Sequence, residues 1–378
     1  MHSMTNPRHQ DVSQSEGTRP LAIVTGAAGQ DGFYLIERLV QDGFVVHGTI
    51  RPGGSTFTSE RRTSDQAIVI HELDLEEPAG YTELIAALKP DELYNLAGMS
   101  SVAASFVDPA AAWRTNADAV EAMLEAVRKH SPATRFYQSS SSEMFGAAPG
   151  QESTRTEDSP LRPQSPYAAA KAAAHVLCAA YRRAYDMRVA CGILFNHESS
   201  RRPATFLTRK VVDHVRTLRR ASPAVFGQRP PLAMGNLAAR RDWGFAPDYV
   251  EGIRRIIGQI EVRARVLGGA PDEDCGSNYR DYVLGSGHLH AVWELVDRAF
   301  ALAGLELVWD RTADDAGEWT ARFRTTGTLA VVVDRGWMRP SDPLAIRADA
   351  SRAQIELEWK ARPGLDHFLM DMLDAAGG

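Results

Sequence analysis

The sequence predicts an α/β fold in which a doubly wound parallel sheet is followed by a smaller C-terminal α/β domain. Two observations lead to this prediction. From residue 19 onward, short apolar runs typical of buried strands alternate with amphipathic stretches typical of helices. A glycine-rich turn joins the first strand to the first helix. Strands that alternate with helices pair in parallel through right-handed crossovers, which gives this architecture.

The elements follow in order along the chain. LAIVT predicts the first strand, and FYLIERLVQDG predicts an amphipathic helix that ends at a glycine. Further strands are predicted at FVVHGTI, AIVIHELDL, ELYNLAG, RFYQSS and VACGILF. The helices between them are predicted at TELIAALK, at about 108–129 and at about 166–184.

The composition changes along the chain and suggests domain boundaries. Residues 1–18 are polar and lack the apolar core of a signal peptide, so we expect a disordered tail. Residues 19–195 hold the regular alternation and form the first predicted domain. Beyond residue 196 the pattern loosens, and 262–280 predicts a loop rich in Gly, Asp and Glu. We therefore expect 196–378 to form mainly a second, ligand-binding domain, with some segments returning to the first.

Composition also excludes several classes of function. The 378 residues carry a net charge of −6, which argues against nonspecific binding to nucleic acid. No apolar run is long enough to cross a bilayer. Cys178, Cys191 and Cys275 have neither metal-site nor CxxC spacing and fit buried thiols in a reducing compartment. We expect a cytoplasmic protein without a metal and without nucleic-acid or membrane partners.

The first strand-to-helix turn, TGAAGQDG, places Gly26, Gly29 and Gly32 in the order GxxGxxG. Glycines at this position let the backbone approach a pyrophosphate at a helix N-terminus, where free N–H groups favour anions. The alternative is a tight turn without a ligand. The motif lies at the first turn of a strand–helix array. This position favours a Rossmann-like dinucleotide-binding domain over 19–195.

The residues after the second and third strands bear on the choice of cofactor. NAD-binding proteins usually place an acidic residue after the second strand, whereas this chain has Arg51. A cation there suits the 2′-phosphate of NADP, and Ser55 or Thr56 could add hydrogen bonds. The alternative is a solvated arginine on a turn. Asp74 ends the third strand, where it could meet the adenine or, equally, cap a helix.

SPYAAAK places Tyr167 and Lys171 four residues apart, on a helix that Ser165 can cap and Pro166 can open. Residues at this spacing share one helix face. A lysine ammonium near a phenol favours the phenolate and lowers the pKa of the tyrosine, which would make Tyr167 a usable base. The alternative is a core tyrosine beside a surface lysine.

The run SSSSE at 139–143 follows a predicted strand directly. At the carboxyl end of a parallel strand these side chains would point into the cofactor cleft rather than into a linker. One serine could hydrogen-bond the substrate oxygen that Tyr167 deprotonates. Hydride transfer alone does not need the glutamate, so the glutamate suggests a second acid–base step.

These motifs together resemble the extended short-chain dehydrogenase/reductases. More narrowly, the chain is similar to the GDP-mannose 4,6-dehydratase family from about residue 20 to 360. The segments that carry this resemblance are QDG, ILFNHESSRR, TFLTRK, GNLAARRDWGFAPDYVE and MRPSD. The resemblance implies oxidation at C4, loss of water across C5 and C6, and return of the hydride to C6. It implies NADP as cofactor, a GDP-sugar as substrate, and a homodimer or homotetramer.

The resemblance also assigns roles to individual residues. The implied catalytic residues are Ser141, Glu143, Tyr167 and Lys171. The implied cofactor contacts, besides Tyr167 and Lys171, are Gly26, Gly29, Gln30, Asp31, Gly32, Arg51, Ser55, Asp74, Leu75 and Leu96. The implied substrate contacts are Ser100, Asn196, Lys210, Arg241, Arg339 and Asp342.

The chain departs from the family pattern at several positions. Met99 and Ser101 stand where the family has Gln and His, and Phe245 stands where it tends to have His. The segments around 220–232 and 262–280 look like insertions. These differences leave open a modified GDP-sugar or heptose as substrate, or a related epimerase or 4-ketoreductase. A noncatalytic cofactor sensor is a further alternative, but it would not need the intact Ser141, Tyr167 and Lys171.

Overall fold

The computed structural model describes residues 19–54, 68–146, 152–222, 226, 228–268, 270, 273, 275–312, 315–338 and 345–375. None of the helices in these ranges combines the length and the apolar character that crossing a bilayer requires.

A seven-stranded sheet forms the centre of the first region. Its strands are β1 (Leu21–Thr25), β2 (Val45–Ile50), β3 (Ile68–Glu72), β4 (Glu92–Asn95), β5 (Arg135–Ser141), β7 (Val189–Leu194) and β11 (Tyr282–Leu284). They lie in the order β11-β7-β5-β4-β1-β2-β3, and every pairing is parallel. The predicted α/β fold is therefore confirmed, and a strand from beyond residue 196 completes the sheet.

Helices cover both faces of this sheet. They are α1 (Gln30–Gln41), α2 (Ala79–Leu88), α3 (Val102–Val107), α4 (Pro109–Trp113), α5 (Ala119–His130), α6 (Pro166–Tyr185), α8 (Ala246–Ile257), α9 (Gln259–Leu267) and α11 (Ser351–Leu357). One core joins α1 and α8 to the sheet, and a second core joins α2, α5 and α6 to its other face. A π-helical turn, Arg114–Asp118, separates α4 from α5.

The start and end of α6 follow from local sequence. The Ser165 hydroxyl accepts a hydrogen bond from the Ala168 N–H at 3.1 Å, and Pro166 occupies the first turn, where its missing N–H costs nothing. The helix ends at Asp186, whose φ of 51° is left-handed. The predicted helix over about 166–184 is confirmed.

Two smaller sheets make up most of the second region. Their strands are β6 (Ser153–Arg155), β8 (Asn196–Glu198), β9 (Leu232–Met234), β10 (Arg240–Phe245), β12 (Leu289–Ala291), β13 (Leu307–Asp310), β14 (Thr320–Phe323), β15 (Leu329–Val333) and β16 (Ala345–Ala348). One sheet has the order β12-β10-β16-β6, with β8 paired to β10, and the other has the order β13-β14-β15-β9. Three helices contribute buried residues to the same core as these sheets: α7 (Leu207–Arg219), α10 (Val292–Leu302) and α12 (Asp366–Asp374). The predicted domain boundary at 195/196 stays a prediction.

The prediction of a loop over 262–280 is wrong for its first part. Helix α9 runs through Leu267, and Arg263 within it is buried, with its guanidinium donating to the Asn278 carbonyl at 2.8 Å. The Gly- and Asp-rich residues that follow the helix concealed its short amphipathic stretch. Packing of α9 against α11 decides the conformation, as tertiary contacts often do for short segments.

Candidate active site

The carboxyl ends of the central strands define the site. Strand β1 lies between β2 and β4, so successive strands run outward in opposite directions on its two sides. At such a reversal the connections diverge and leave a crevice, which is where open α/β sheets bind ligands. The glycine loop after β1 and the serine run at the end of β5 both open onto this edge.

The loop after β1 requires its glycines. Gly26 has a φ of +73°, and a Cβ added at Gly32 would lie 2.2 Å from the Gly26 carbonyl oxygen. Helix α1 begins after Gly29, and no side chain of the described residues caps this N-terminus. The loop is thus tight against the helix, and its N-terminus offers free donors to an anion. These residues fit the pyrophosphate of a dinucleotide.

Gln30 and Asp31 are predicted to contact the cofactor. In the structure they form hydrogen bonds to β8 and to Ser199, which follows it. The Gln30 amide donates to the His197 carbonyl at 3.0 Å and accepts from the Ser199 hydroxyl at 2.8 Å. Both oxygens of the Asp31 carboxylate lie 3.0 Å from His197 Nε2. These contacts tie the glycine loop to β8, and direct cofactor contacts by Gln30 and Asp31 stay predictions.

The residues predicted to hold the adenosine end are partly described. Arg51 is exposed directly after β2, and its carbonyl accepts from the Gly54 N–H at 2.9 Å. Ser55 lies outside the described residues. Asp74 accepts from the Glu76 N–H at 3.0 Å within a turn, whereas Pro78 occupies the N-cap of α2. The helix-capping alternative for Asp74 is therefore wrong.

Leu75 and Leu96 lie at the ends of neighbouring segments. Leu75 is half-buried and packs against the core beneath α2 and α5. Leu96 follows β4, and its N–H donates to the Thr25 hydroxyl at 3.0 Å. Leu96 thus follows a strand that is paired with β1, and the cofactor contacts of both leucines stay predictions.

The structure brings Ser141, Glu143 and Tyr167 together. Ser141 ends β5, and its hydroxyl accepts from the Glu143 N–H at 3.3 Å. The same hydroxyl is hydrogen-bonded to the phenol of Tyr167, and the Glu143 carboxylate is close enough for its charge to act on that phenol. Tyr167 is only 8% exposed. A serine, a carboxylate and a phenol are therefore close enough to interact at the strand end.

The predicted lowering of the tyrosine pKa is not found. Burial raises the pKa of Tyr167 to about 12, and the Glu143 charge adds to this rise while the Ser141 hydrogen bond opposes it. The Lys171 ammonium donates to the Ser139 carbonyl at 3.1 Å. Burial lowers the pKa of Lys171 to about 8. The prediction is wrong for this structure because burial outweighs the groups that lower the pKa of Tyr167, which are the Ser141 hydroxyl and the Arg202 charge.

A chain of buried hydrogen bonds leads to the same carbonyl. The Thr25 hydroxyl donates to Asn95 Oδ1 at 2.7 Å, and Asn95 Nδ2 donates to Gln138 Oε1 at 2.8 Å. Gln138 Nε2 then donates to the Ser139 carbonyl at 2.9 Å, where Lys171 also donates. Sequence reasoning missed this chain. Its only signal in the sequence was one polar side chain within each of three apolar strands.

Two predicted substrate residues lie on the second region. Asn196 begins β8 and is paired with Trp243 of β10. Lys210, in the first turn of α7, donates to the Ala233 carbonyl at 2.7 Å. Its ammonium also lies 3.8 Å from the centroid of the exposed Trp337 ring. A half-buried cation and an exposed aromatic ring thus lie side by side.

The other predicted substrate residues are placed as follows. Arg241 lies in β10 and donates to the Arg240 carbonyl at 2.9 Å. Ser100 is exposed between β4 and α3. Arg339 and Asp342 lie outside the described residues. The roles of all four residues stay predictions.

The structure accounts for one departure from the family pattern. Ser101 is the N-cap of α3, and its hydroxyl accepts from the Ala104 N–H at 3.1 Å. The Met99 carbonyl accepts from Asn116 Nδ2 at 3.1 Å, which holds this segment against the π-helical turn. A serine at 101 therefore has a structural role that is independent of the substrate.

One cluster of possible metal ligands lies behind the serine run. Among the described residues, His175, Cys191 and Asp281 offer ligand atoms within 4.8 Å of one another. The Asp281 carboxylate already accepts from the Cys191 N–H at 2.7 Å and pairs with Arg182. The Arg182 guanidinium already neutralises the Asp281 carboxylate, so this carboxylate does not need a metal ion as its partner. We therefore assign no metal to the cluster.

The three cysteines are free. Cys178 and Cys191 are buried, as predicted. Cys275 is only partly buried, so the prediction of a buried thiol is wrong at this position.

Comparison with known proteins identifies the family. A family model described as GDP-mannose 4,6 dehydratase matches residues 23–372. GDP-mannose 4,6 dehydratase 1 from Arabidopsis thaliana is 36% identical over 369 residues, which cover 94% of this chain and 89% of the relative. GDP-mannose 4,6-dehydratase from Sinorhizobium fredii is 34% identical over 366 residues, covering 94% and 96%.

Solved structures share the fold at lower identity. The dTDP-glucose 4,6-dehydratase from Bacillus anthracis superposes with a TM-score of 0.69 at 18% identity, covering 94% of this chain and 95% of that one. RMD from Pseudomonas aeruginosa, solved with NADPH, superposes with a TM-score of 0.67 at 21% identity, covering 94% and 98%. The family match and the arrangement of the site agree with the resemblance, so that expectation is confirmed. The chain belongs to the GDP-mannose 4,6-dehydratase family.

Proposed function

We propose that the protein converts GDP-mannose to GDP-4-keto-6-deoxymannose, with NADP as its cofactor. The observation that carries this function is that the carboxylate of Glu143 lies close enough to the phenol of Tyr167 for its charge to raise the pKa of that phenol. A pure reductase needs only one proton-transfer group here, whereas a dehydratase needs a second group for C5. The family membership supports the same reaction.

Tyr167 and Ser141 carry the first step. Ser141 orients the sugar 4-hydroxyl through its own hydroxyl, and Tyr167 takes the proton from that oxygen. The bound nicotinamide ring supplies the two-electron acceptor that takes the C4 hydride and later returns it. Because burial raises the pKa of Tyr167 to about 12, the phenol is protonated at rest. For Tyr167 to act as a base, positive charge near its phenol must therefore favour the phenolate once the cofactor and the substrate are bound.

Glu143 carries the second step. The ketone at C4 acidifies the C5–H bond, and the Glu143 carboxylate removes that proton. The resulting carboxylic acid then protonates the 6-hydroxyl, which leaves as water. With the cofactor bound, C6 would take back the hydride and C5 would take a proton from solvent, while Tyr167 would release the proton it took from the 4-hydroxyl, so the net change is the loss of one water. The short helical turn at Ser142–Phe145 holds the carboxylate at the strand end throughout.

The nucleotide part of the substrate binds along the second region. Asn196, Arg241 and Arg339 hold the diphosphate, a role for which guanidinium donors are well suited. Lys210 faces the base, and Asp342 holds the ribose of the nucleotide. Ser100 contacts the sugar of the substrate. Support for this assignment comes from β8 and β10, which pair directly and so bring Asn196 and Arg241 into one small sheet region.

NADP is proposed over NAD because of the charge at the end of β2. The Arg51 side chain is exposed there, and a turn closed by Gly54 N–H follows it. A guanidinium matches the 2′-phosphate, which NAD lacks. Gly26, Gly29 and Gly32 hold the pyrophosphate, while Asp74, Leu75 and Leu96 border the adenosine and nicotinamide ends.

We also propose that the protein is a homodimer or homotetramer. Helices α3 and α4 pack against α6, and three large apolar side chains are about half exposed on these helices: Phe106, Trp113 and Val176. A second copy of the chain would cover them. Light scattering after size-exclusion chromatography should give twice or four times the chain mass, and a smaller mass for Val176→Glu. A wild-type monomer at micromolar concentration would contradict the proposal.

The proposed location is the cytoplasm. Cys178, Cys191 and Cys275 are all free thiols, which is the state that a reducing compartment maintains. Cell fractionation with an antibody to the chain tests this, and recovery in the membrane pellet would contradict it.

A direct assay tests the proposed function. The purified protein is incubated with NADP and GDP-mannose, and the nucleotide sugars are followed by mass spectrometry. We expect loss of one water from the sugar nucleotide with no net accumulation of NADPH. A protein that binds NADP but leaves the mass of GDP-mannose unchanged would contradict the proposal.

A further inference from the structure

We propose that His197 is a positioning residue for the cofactor: its imidazolium neutralises the Asp31 carboxylate, so that the N-terminus of α1 can hold the cofactor's pyrophosphate. This inference rests on the proposed function only in that a nicotinamide dinucleotide binds at the glycine loop.

The position of Asp31 creates an electrostatic conflict. It lies in the first turn of α1, directly after the loop that presents free N–H groups. A carboxylate there interacts favourably with the positive end of the helix dipole. For the same reason it competes with an anionic ligand at that end and repels it. Left uncompensated, Asp31 would weaken binding of a pyrophosphate.

The geometry of His197 shows that its ring is doubly protonated. Nδ1 lies 2.7 Å from the Phe195 carbonyl oxygen, and Nε2 lies 3.0 Å from both Asp31 oxygens. A carbonyl and a carboxylate only accept hydrogen bonds, so both ring nitrogens must donate. The ring therefore carries a positive charge directly against the carboxylate.

The imidazolium is held in place from several directions. The Tyr249 ring stacks on it, with centroids 4.4 Å apart and the planes inclined by 20°. The His197 carbonyl accepts from Gln30 Nε2 at 3.0 Å, and the side chain is only 8% exposed. Burial alone would lower the pKa of His197, but the Asp31 carboxylate outweighs it and the pKa is raised. The pair is thus fixed and charged.

The nearest other charges do not replace His197. Arg202 is also close enough to lower the pKa of Asp31. Its Nε, however, lies 3.0 Å from the Glu198 carboxylate, which also accepts from the Thr208 hydroxyl at 2.6 Å. Arg202 is therefore largely neutralised by Glu198. His197 is the group in direct contact with Asp31 that balances its charge.

A double-mutant cycle separates this charge balance from a merely structural role. NADPH is titrated, by its fluorescence, into the purified full-length wild type, His197→Gln, Asp31→Asn and the double variant. We expect His197→Gln to weaken NADPH binding about 10-fold, since one uncompensated charge is then left at the pyrophosphate. The double variant should bind NADPH within about threefold of Asp31→Asn and more tightly than His197→Gln, because neither Asp31→Asn nor the double variant keeps the uncompensated carboxylate.

The outcomes distinguish the alternatives. If His197 only shapes the loop, the double variant will bind as weakly as His197→Gln, and the proposal is overturned. Unchanged binding in His197→Gln overturns it as well. If His197→Gln does not fold, the double variant is compared with Asp31→Asn: binding within about threefold supports the proposal, and weaker binding by the folded double variant overturns it. His214→Gln, in α7 and beside Phe300, serves as the control and should bind normally.

These measurements use no sugar nucleotide. Their result is therefore independent of the proposed dehydration, which fails only if the wild type does not act on GDP-mannose. The two hypotheses can fail separately.

Discussion

The ammonium of Lys171 donates a hydrogen bond to the Ser139 carbonyl at 3.1 Å, so the helix that carries Tyr167 is bound directly to the strand end that carries the serine run. That carbonyl is also the last acceptor of the buried chain that begins at Thr25. Lys171 is only 6% exposed, and its ammonium has no carboxylate partner among the described residues. The buried position of this lysine therefore costs stability.

Lys171→Met should stabilise the protein at pH 7. Burial lowers the pKa of Lys171 from 10.5 to about 8, so the folded state binds its proton less well than the unfolded state. Between these values the unfolded chain holds more protons, and wild-type stability rises with pH. Below pH 8 the full cost is present, on the order of 3 kcal/mol or less. Urea unfolding at pH 7 and pH 10 should show the variant's advantage shrinking at the higher pH. An advantage that does not change with pH would contradict the buried ammonium.

Tyr167→Phe should abolish the first hydride transfer. The substitution removes the hydroxyl that takes the 4-OH proton and keeps the ring that fills the site. We expect turnover to fall about 10²- to 10⁴-fold, the usual contribution of a general base. Binding of GDP and NADPH should change little. Tyr185→Phe, on the same helix but about half exposed, is the matched control and should keep full activity. Normal turnover by Tyr167→Phe would rule out the assigned role.

Glu143→Gln should stop the reaction after oxidation at C4. The amide keeps the shape of the side chain but cannot accept the C5 proton. We expect reduced cofactor and a 4-keto sugar nucleotide to accumulate, and solvent deuterium to be absent from C5. Glu121→Gln, exposed on α5, should react normally. Full dehydration by Glu143→Gln would contradict the proposal that Glu143 removes the C5 proton.

Arg51→Ala should weaken NADP more than NAD. Losing a charge-assisted contact to the 2′-phosphate is expected to cost about 10-fold or more in NADP affinity. NAD lacks that phosphate, so its dissociation constant should change by less than about threefold. Isothermal titration of both cofactors measures the difference, with Arg220→Ala as an exposed control at the end of α7. Equal losses for the two cofactors would mean that Arg51 does not face the 2′-phosphate.

The sequence predicts the fold well where the signal is local. Ser165 and Pro166 mark the start of α6, and the glycines after β1 mark the dinucleotide loop, because each acts on its own backbone. Tyr167 and Lys171 could be proposed as catalytic residues for the same reason, since they lie on one helix face. The buried serines at the end of β5 follow from the parallel arrangement of the strands.

What the sequence does not predict depends on distant contacts. Asp31 and His197 are 166 residues apart, and only the fold brings them within 3.0 Å. The direction of the Tyr167 pKa was also missed, because burial cannot be read from a helix motif alone. Helix α9 was mistaken for a loop because its packing against α11 is a tertiary effect. In each case a long-range interaction decides the result.

The most direct test of the account follows the hydrogen at C4. GDP-mannose carrying deuterium at C4 is converted by the purified protein with NADP, and the product is examined by NMR. The account predicts that deuterium appears at C6 of a sugar that has lost one water, with no label left on the cofactor. Dehydration without deuterium at C6, or label retained on reduced cofactor, would contradict it.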